Sequence, residues 1–334
     1  MEKVFIKALI ALLPVLVTGC DLGFDDQSLV SDLRILGLKT DPPEYLGPDY
    51  ADKDRDVTVS ILLANPLGAG EGGKLSCLLR TCVIPGDYRC DDESSTVMLA
   101  EGPCVDGVTS FDVTIPVGII QQTRAADPSW RAIEAGIQKA IDEGVNPALA
   151  ETMGRSTYSG TAVWVEIVIR GGPLELRGLQ SVILSPANPV GRVANSNPVI
   201  VGVRLQGQTA GTVPEIPFTP GRSVRVEVLK TWNSKETYIL PTFDPPFGST
   251  PVEEFLTFAF YSNAGDFSPN TTTEKPGSVF NAEAEDEEPT ELWSSWTAPS
   301  SDEMPKGGVR FWFVLIDGRG GTDWLTMNGV ELTQ

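Results

Sequence analysis

The chain contains no histidine in its 334 residues. That absence removes the side chain that titrates most readily near neutrality. With it go the Ser-His-Asp and Cys-His arrangements and the commonest zinc and copper ligand. Gly-x-Ser-x-Gly and Ser-x-x-Lys nucleophile signatures are missing too, as is a glycine-rich phosphate loop ahead of a helix. Positive charge is scarce: 25 Lys and Arg stand against 45 Asp and Glu, a net charge of −20. Phosphate backbones and anionic lipid headgroups repel such a chain, so nucleic acid is excluded as an expected partner. The apolar run from Ala8 to Val17 falls well short of the roughly 20 residues a membrane-spanning helix requires.

That run follows Lys3 and Lys7 and fits the apolar region of a secretory signal peptide. It ends in Val17-Thr18-Gly19-Cys20, which resembles the lipobox of bacterial lipoproteins. In that family the cysteine receives a diacylglycerol on its sulfur, the chain is cut before it, and the new amine is usually acylated. The resemblance implies a leader over residues 1–19, a lipidation site at Cys20, a tether over residues 20–31 and a place in the cell envelope. Several acyl chains together anchor firmly, because each buried methylene contributes about 0.8 kcal/mol. Asp21 resembles the inner-membrane retention signal of enteric bacteria. Other lineages read other signals, and the outer membrane is the expected location.

An exported chain meets an oxidising compartment, so the remaining Cys77, Cys82, Cys90 and Cys104 read as two disulfides. No Cys-x-x-Cys pair is present, which makes a four-cysteine zinc site the weaker reading. Cys77 and Cys82 lie five apart, so a regular strand points them to opposite faces. Of the three possible pairings the expected one joins Cys77 with Cys104 and Cys82 with Cys90.

Hydrophobic residues make up 41% of the chain, a globular value, and the length predicts about two domains. Arg34 to Lys39 reads as a first strand stopped by Pro42 and Pro43. Val57, Val59, Ile61 and Leu63 alternate with Thr58, Ser60 and Leu62, a strand with one apolar face. Leu75 to Val83 is another strand, Cys82 to Cys104 a stapled loop, and Ser110 to Ile120 a strand again. Asp127 as N-cap, Pro128 at the first helical position and Trp130, Ile133, Ile137 and Ile141 at spacings of three and four predict one amphipathic helix, ended by Gly144 and packed on a sheet. A hairpin turns at Gly171-Gly172, and Pro186 to Pro198 reads as a linker. Beyond it, Val224, Val226 and Val228 mark a strand, and a closing hairpin turns at Asp317-Gly318. The pattern predicts an all-β chain of two β-sandwiches, over residues 32–187 and 199–334 with a linker over 188–198.

The stretches Leu33 to Asp49, Asn195 to Gly207, Trp296 to Pro299 and Phe313 to Gly321 resemble the immunoglobulin-like domains of surface lipoproteins from myxobacteria and related social or predatory bacteria. The resemblance implies tandem immunoglobulin-like domains and carries over no functional residues. The helix after Asp127 departs from a minimal sandwich.

Three groups invite a chemical reading. Asp52, Asp54 and Asp56 open like a calcium loop, yet Val57 and Leu63 stand where that loop needs Gly and Glu, so a solvated turn is the better reading. The acidic stretch Asn281 to Glu291 reads as an exposed loop that favours a basic partner surface. Trp293, Trp296, Trp312 and Trp324 invite stacking on sugar rings, with Trp293 and Trp296 the candidate binding pair; sandwich cores also use tryptophan, Trp296 and Trp312 sit where strands should be, and core packing is the better reading. No catalytic residue, metal or cofactor is expected. The expectation is a lipid-anchored structural or protein-binding module, with carbohydrate binding as the alternative. Cells grown with labelled palmitate incorporate the label into the wild-type chain and not into Cys20→Ala; equal label in both would remove the lipid anchor.

Overall fold

The computed structural model describes residues 28–66, 74–83, 89–90, 95–156, 158, 160–171, 174–187, 191–208, 211–231, 234–242, 248–274 and 293–332. The leader, Cys20 and the acidic stretch Asn281 to Glu291 lie outside them.

The first domain contains β1 (Arg34–Asp41), β2 (Glu44–Leu46), β3 (Arg55–Ala64), β4 (Leu75–Cys82), β5 (Thr96–Cys104) and β6 (Gly107–Ile115). Three helices follow, α1 (Val117–Ala126), α2 (Pro128–Asp142) and α3 (Pro147–Ser156), then β7 (Thr161–Gly171) and β8 (Leu174–Ser185). One sheet has the order β1-β3-β6 and the other β2-β8-β7-β4-β5. The second domain contains β9 (Ile200–Leu205), β10 (Ile216–Phe218), β11 (Ser223–Lys230), the hairpin β12 (Thr237–Thr242) and β13 (Gly248–Glu253), β14 (Leu256–Ser262), β15 (Asp266–Ser268), β16 (Thr271–Glu274), β17 (Trp293–Thr297), β18 (Arg310–Asp317) and β19 (Thr322–Glu331). Its sheets run β15-β17-β11-β9 and β10-β19-β18-β14-β16. The two domains repeat one topology. In each, the opening strand joins one sheet, and a three-residue strand then crosses to pair in parallel with the last strand of the other, β2 on β8 and β10 on β19. Among the described residues all other pairs of named strands are antiparallel, which makes both units immunoglobulin-like sandwiches.

Alternation builds the cores. Val57, Val59, Ile61 and Leu63 of β3 point inward and meet Val163, Val165, Ile167 and Ile169 of β7. In the second domain Val226 and Val228 of β11 face Phe258 and Phe260 of β14 and Phe311 and Phe313 of β18. Both expected cysteine pairs stand at disulfide distance, with Cα atoms 5.6 Å apart for Cys77 and Cys104 and 5.5 Å for Cys82 and Cys90. The stretch from Cys82 to Cys104 is not loop throughout: β5 occupies its second half and pairs with β4, opposite Cys77 at Gly102.

The helical insertion is larger than the single helix the periodicity predicts. Ser110 to Ile120 is not one strand, because β6 stops at Ile115 and Pro116 opens α1, whose Val117 N–H donates to the Asp54 carboxylate at 2.7 Å. It is α1 that lies on the sheet, through Ile119 and Ile120 against β7. Asp127 caps α2 as expected, accepting from Ser129 N–H at 2.8 Å. Only Trp130 of that helix is fully buried, edge-on to the Tyr158 ring at 4.9 Å. Farther along, the apolar stripe of α2 meets α3 rather than a sheet. The insertion thus forms a small helical layer over one end of the first sandwich.

The domains are packed face to face. Leu62 belongs to the outward face of β3 with Thr58 and Ser60, yet it is fully buried. With Leu36, Ala64 and Val30 it meets Trp312 and Val314 on the outward face of β18, flanked by Ala259, Tyr261 and Trp324. Gly37 lies under the Trp324 indole so closely that a Cβ there would stand 3.0 Å from it. Lys39 reaches Asp323 at 3.1 Å, and Arg310 reaches Asp106 at 2.6 Å, one ion pair on each side of the apolar contact. Truncating Trp312 leaves a cavity between two domains, a loss of about 3–5 kcal/mol for a buried aromatic. Denaturant unfolding of Trp312→Ala is expected to fall by that amount; a loss below about 1 kcal/mol would mean the faces are not packed on each other.

Candidate functional site

The connector between the domains carries Arg192 and Asn195 into a cluster of charge. Glu44, on the short crossing strand β2, is buried between two guanidinium groups. Arg192 reaches its Oε1 at 3.2 Å and also donates to the Tyr158 carbonyl at 3.0 Å and the Ser185 hydroxyl at 2.7 Å. Arg319, in the turn between β18 and β19, donates to Glu44 Oε2 from one nitrogen and lies 3.4 Å from both Glu236 and Glu254 from another. Its guanidinium carbon sits 4.8 Å from the Tyr238 ring centroid. Asp317 shapes the same turn by accepting from the Arg319 and Gly321 N–H groups, each at 2.8 Å, and takes a bond of 3.2 Å from the Asn195 amide. The Asn195 N–H donates to Glu44 at 2.7 Å. Asn197 continues the seam, donating to the Thr40 carbonyl at 2.8 Å and accepting from Thr322 N–H at 2.9 Å. The stretch expected to be a linker is therefore bonded to both domains.

Four carboxylates share this cluster with two guanidinium groups. Burial, reinforced by the neighbouring Asp317 carboxylate, pushes the Glu254 carboxyl up to about 7. Burial likewise raises Asp317 above the usual carboxylate range, against the pull of the N–H groups it accepts from. Such shifts accompany catalytic acids and structural ion clusters alike. Here Glu254 is 1% exposed and its oxygens face Arg319 and the Glu236 N–H, so a diffusing substrate meets no face of it. The chemistry available to the cluster is proton uptake coupled to domain packing.

A second site lies on the outward face of β9, β11 and β17, the face turned away from the first domain. An open pocket of about 330 Å³ is lined there by Arg204, Gln206, Gln208, Arg225, Glu227 and Trp293. Register sets the constellation: Glu227 stands opposite Arg204 on one side and Trp293 on the other. Arg204 grips Glu227 through two nitrogens, with Nε at 2.8 Å, and the Arg225 guanidinium carbon lies 3.4 Å from the Trp293 ring centroid. This is a flat polar floor with an aromatic wall.

The candidate tryptophans separate. Trp293 lines the pocket, half-buried. Trp296 corrects the expectation of a binding pair: it is fully buried, edge-on to Phe218 and Phe311, and its indole N–H donates to the Ala264 carbonyl at 3.0 Å. Two positions farther along the same strand as Ser294, it faces the core. Trp312 and Trp324 belong to the domain contact. Of the aspartates that open like a calcium loop, Asp54 holds the α1 N-terminus and Asp56 accepts from the Thr114 hydroxyl at 2.7 Å. Among the described residues no group of three or more Cys, Asp or Glu is placed to hold a metal ion. Sequence reasoning missed the charged seam altogether; the nearest signal was Arg192 among three Asn in a stretch otherwise read as a linker.

No family model matches the chain, and no curated protein matches it. Among solved structures it is similar to red sea bream transglutaminase, with 10% identity over 91% of this chain and 32% of that one, at a TM-score of 0.23. It is similar to the Yersinia pseudotuberculosis adhesin InvE, with 10% identity over 90% of this chain and 60% of that one, at 0.21. It is also similar to a C-terminal fragment of intimin solved with the intimin-binding domain of its translocated receptor, with 9% identity over 88% and 64%, at 0.20. The chain spans less than two thirds of each of these three. Likeness at this level bears on neither activity nor partner, and strand topology alone assigns the fold.

The Glu254 carboxyl binds its proton more tightly folded than unfolded, where it titrates near the ordinary 4.5. Its contribution is therefore fully present below that value and is lost as pH rises through about 7. Glu254→Gln, which keeps the neutral shape at every pH, is expected to flatten the stability profile across that window by on the order of 1–3 kcal/mol. Parallel profiles for wild type and variant in denaturant titrations from acid to neutral pH would refute the assignment.

Proposed function

We propose that this chain is a lipid-anchored protein of the cell envelope that acts as a structural or protein-binding module, of the kind its resemblance to myxobacterial surface lipoproteins implies. The lipid sits on Cys20 and the membrane is the outer one. The protein acts through protein contacts, without catalysis, metal or cofactor. The observation that carries the reading is the fixed face-to-face packing of the two sandwiches. Tryptophan packing and a buried ion cluster hold them together, where a flexible tandem would need neither. The buried carboxylates support it further. Glu44 and Glu254 serve the domain contact, and Glu166 serves the stapled loop by accepting from Arg80, Arg177 and the Cys90 N–H. A net charge of −20 favours a partner with a basic surface and makes the association sensitive to salt.

The pocket beside Trp293 favours a second reading, carbohydrate binding, in which that indole alone contributes the aromatic contact. One pair of measurements separates the two. The mature chain from Asp21 onward, made without its leader and lipid, is expected to recover an envelope protein from extracts and to release it as salt rises. Empty pull-downs, together with a polysaccharide-induced fluorescence change that Trp293→Ala abolishes, would replace the first reading with the second.

A further inference from the structure

The first described residues lie on the second domain. Ser28 and Val30 are fully buried. Ser262 N–H donates to the Ser28 carbonyl at 2.9 Å, Val30 N–H donates to the Ser262 carbonyl at 2.8 Å, and Leu29 forms a parallel bridge with Ser262 at the end of β14. The Ser28 hydroxyl accepts from Phe267 N–H at 3.4 Å. Val30 then enters the apolar core between the domains, and only after this strap does β1 open the first sandwich. Strand directions place the strap at one end of the molecule. Ser262 pairs with Phe311 near the start of β18, and Asn263 binds the Gly308 carbonyl at 3.0 Å, so the turn carrying exposed Lys306 lies beside it. In the first domain the same end holds Ala64 and Asp106, the latter bound to Arg310. The opposite end holds the start of β3 and the helical layer, since Asp54 caps α1 there.

From Cys20 to Ser28 the chain has eight steps, which reach roughly 30 Å at most when fully extended. The geometry points to an orientation on the bilayer, resting on the lipidation reading above. The end of the molecule that carries the strap, with the Ser262–Lys306 corner of the second domain and Ala64 and Asp106 of the first, faces the lipid headgroups. The helical layer of the first domain is the distal surface. No attraction between the acidic body and the lipid is needed, because the short tether sets the distance. Strands of eight to ten residues separate the two ends, a gap of roughly 30 Å.

The test couples the Cys20 thiol of the mature chain chemically to a maleimide-headgroup lipid in phosphatidylcholine vesicles that carry an acceptor dye at low density. A donor dye is attached through a click-reactive residue in place of Lys306 or, in a second preparation, of Lys139 on α2. Energy transfer to the bilayer is expected to be at least twofold higher from position 306 than from 139. Lengthening the tether by twenty Gly-Ser residues ahead of Ser28 is expected to erase most of that difference. Equal transfer from the two positions with the native tether, or more from 139, would overturn the orientation. Because the coupling is chemical, this result is independent of whether cells lipidate Cys20, which palmitate labelling reads separately.

Discussion

Leu62 and Trp312 sit on sheet faces that an isolated sandwich turns to water, and neither tolerates water well. Each face therefore needs the other. Burying these two side chains with Leu36, Val30 and Val314 favours association of the domains, since burying a large apolar side chain is worth about 1.5–3 kcal/mol. The rest of the arrangement follows from that contact. Gly37 has no side chain because the Trp324 ring occupies its place. The connector is short and bonded because the ends it joins are already close. The N-terminal strap has a groove to enter because the two faces meet beside it.

The charged seam is the polar counterpart of this apolar contact. It binds residues far apart in sequence: Glu44 lies 275 positions from Arg319 and 148 from Arg192. Buried ion clusters gain little net stability over apolar packing, but losing one member leaves the others uncompensated. That asymmetry suits a contact that must form in one register. Burial, with the Asp317 carboxylate beside it, raises the Glu254 carboxyl to about 7, so the domain contact itself takes up a proton near neutrality.

Strand alternation made the sandwiches legible, because β3, β7 and β11 each carry branched apolar residues at every second position. The cysteine pairs were legible from spacing and from the opposite facing of Cys77 and Cys82. Leu62 was read as part of a polar face, since alternation along one strand says nothing about what covers the outside of a sheet. Trp296 was paired with Trp293 as a candidate for the same reason: an indole near acidic residues looks alike in sequence whether it lines a pocket, fills a core or joins two domains. Register decides among these, and register is a property of strand pairs. The α1 helix was missed because Ser110 to Ile120 reads as one strand, and only Pro116 marks the break. The seam left no local pattern, because Glu44 and Arg319 are each ordinary turn or edge residues until the fold brings them together.

The contact between the domains is heterologous. Two units of one topology meet through different faces, the β1-β3-β6 sheet of the first and the β14-β18-β19 region of the second. Such a contact has no twofold axis; applied again by further copies of the same unit, it builds a ring or an open array. What ends the series at two is the chemistry of the outermost faces. On one side Glu166 lies between Arg80 and Arg177, where the second domain carries Trp312 and Val314. On the other, Arg204 and Glu227 stand where the first domain carries Leu36 and Leu62. A third sandwich offered to either face would have to strip water from ion pairs instead of from hydrocarbon, so the stack is capped at both ends by charge.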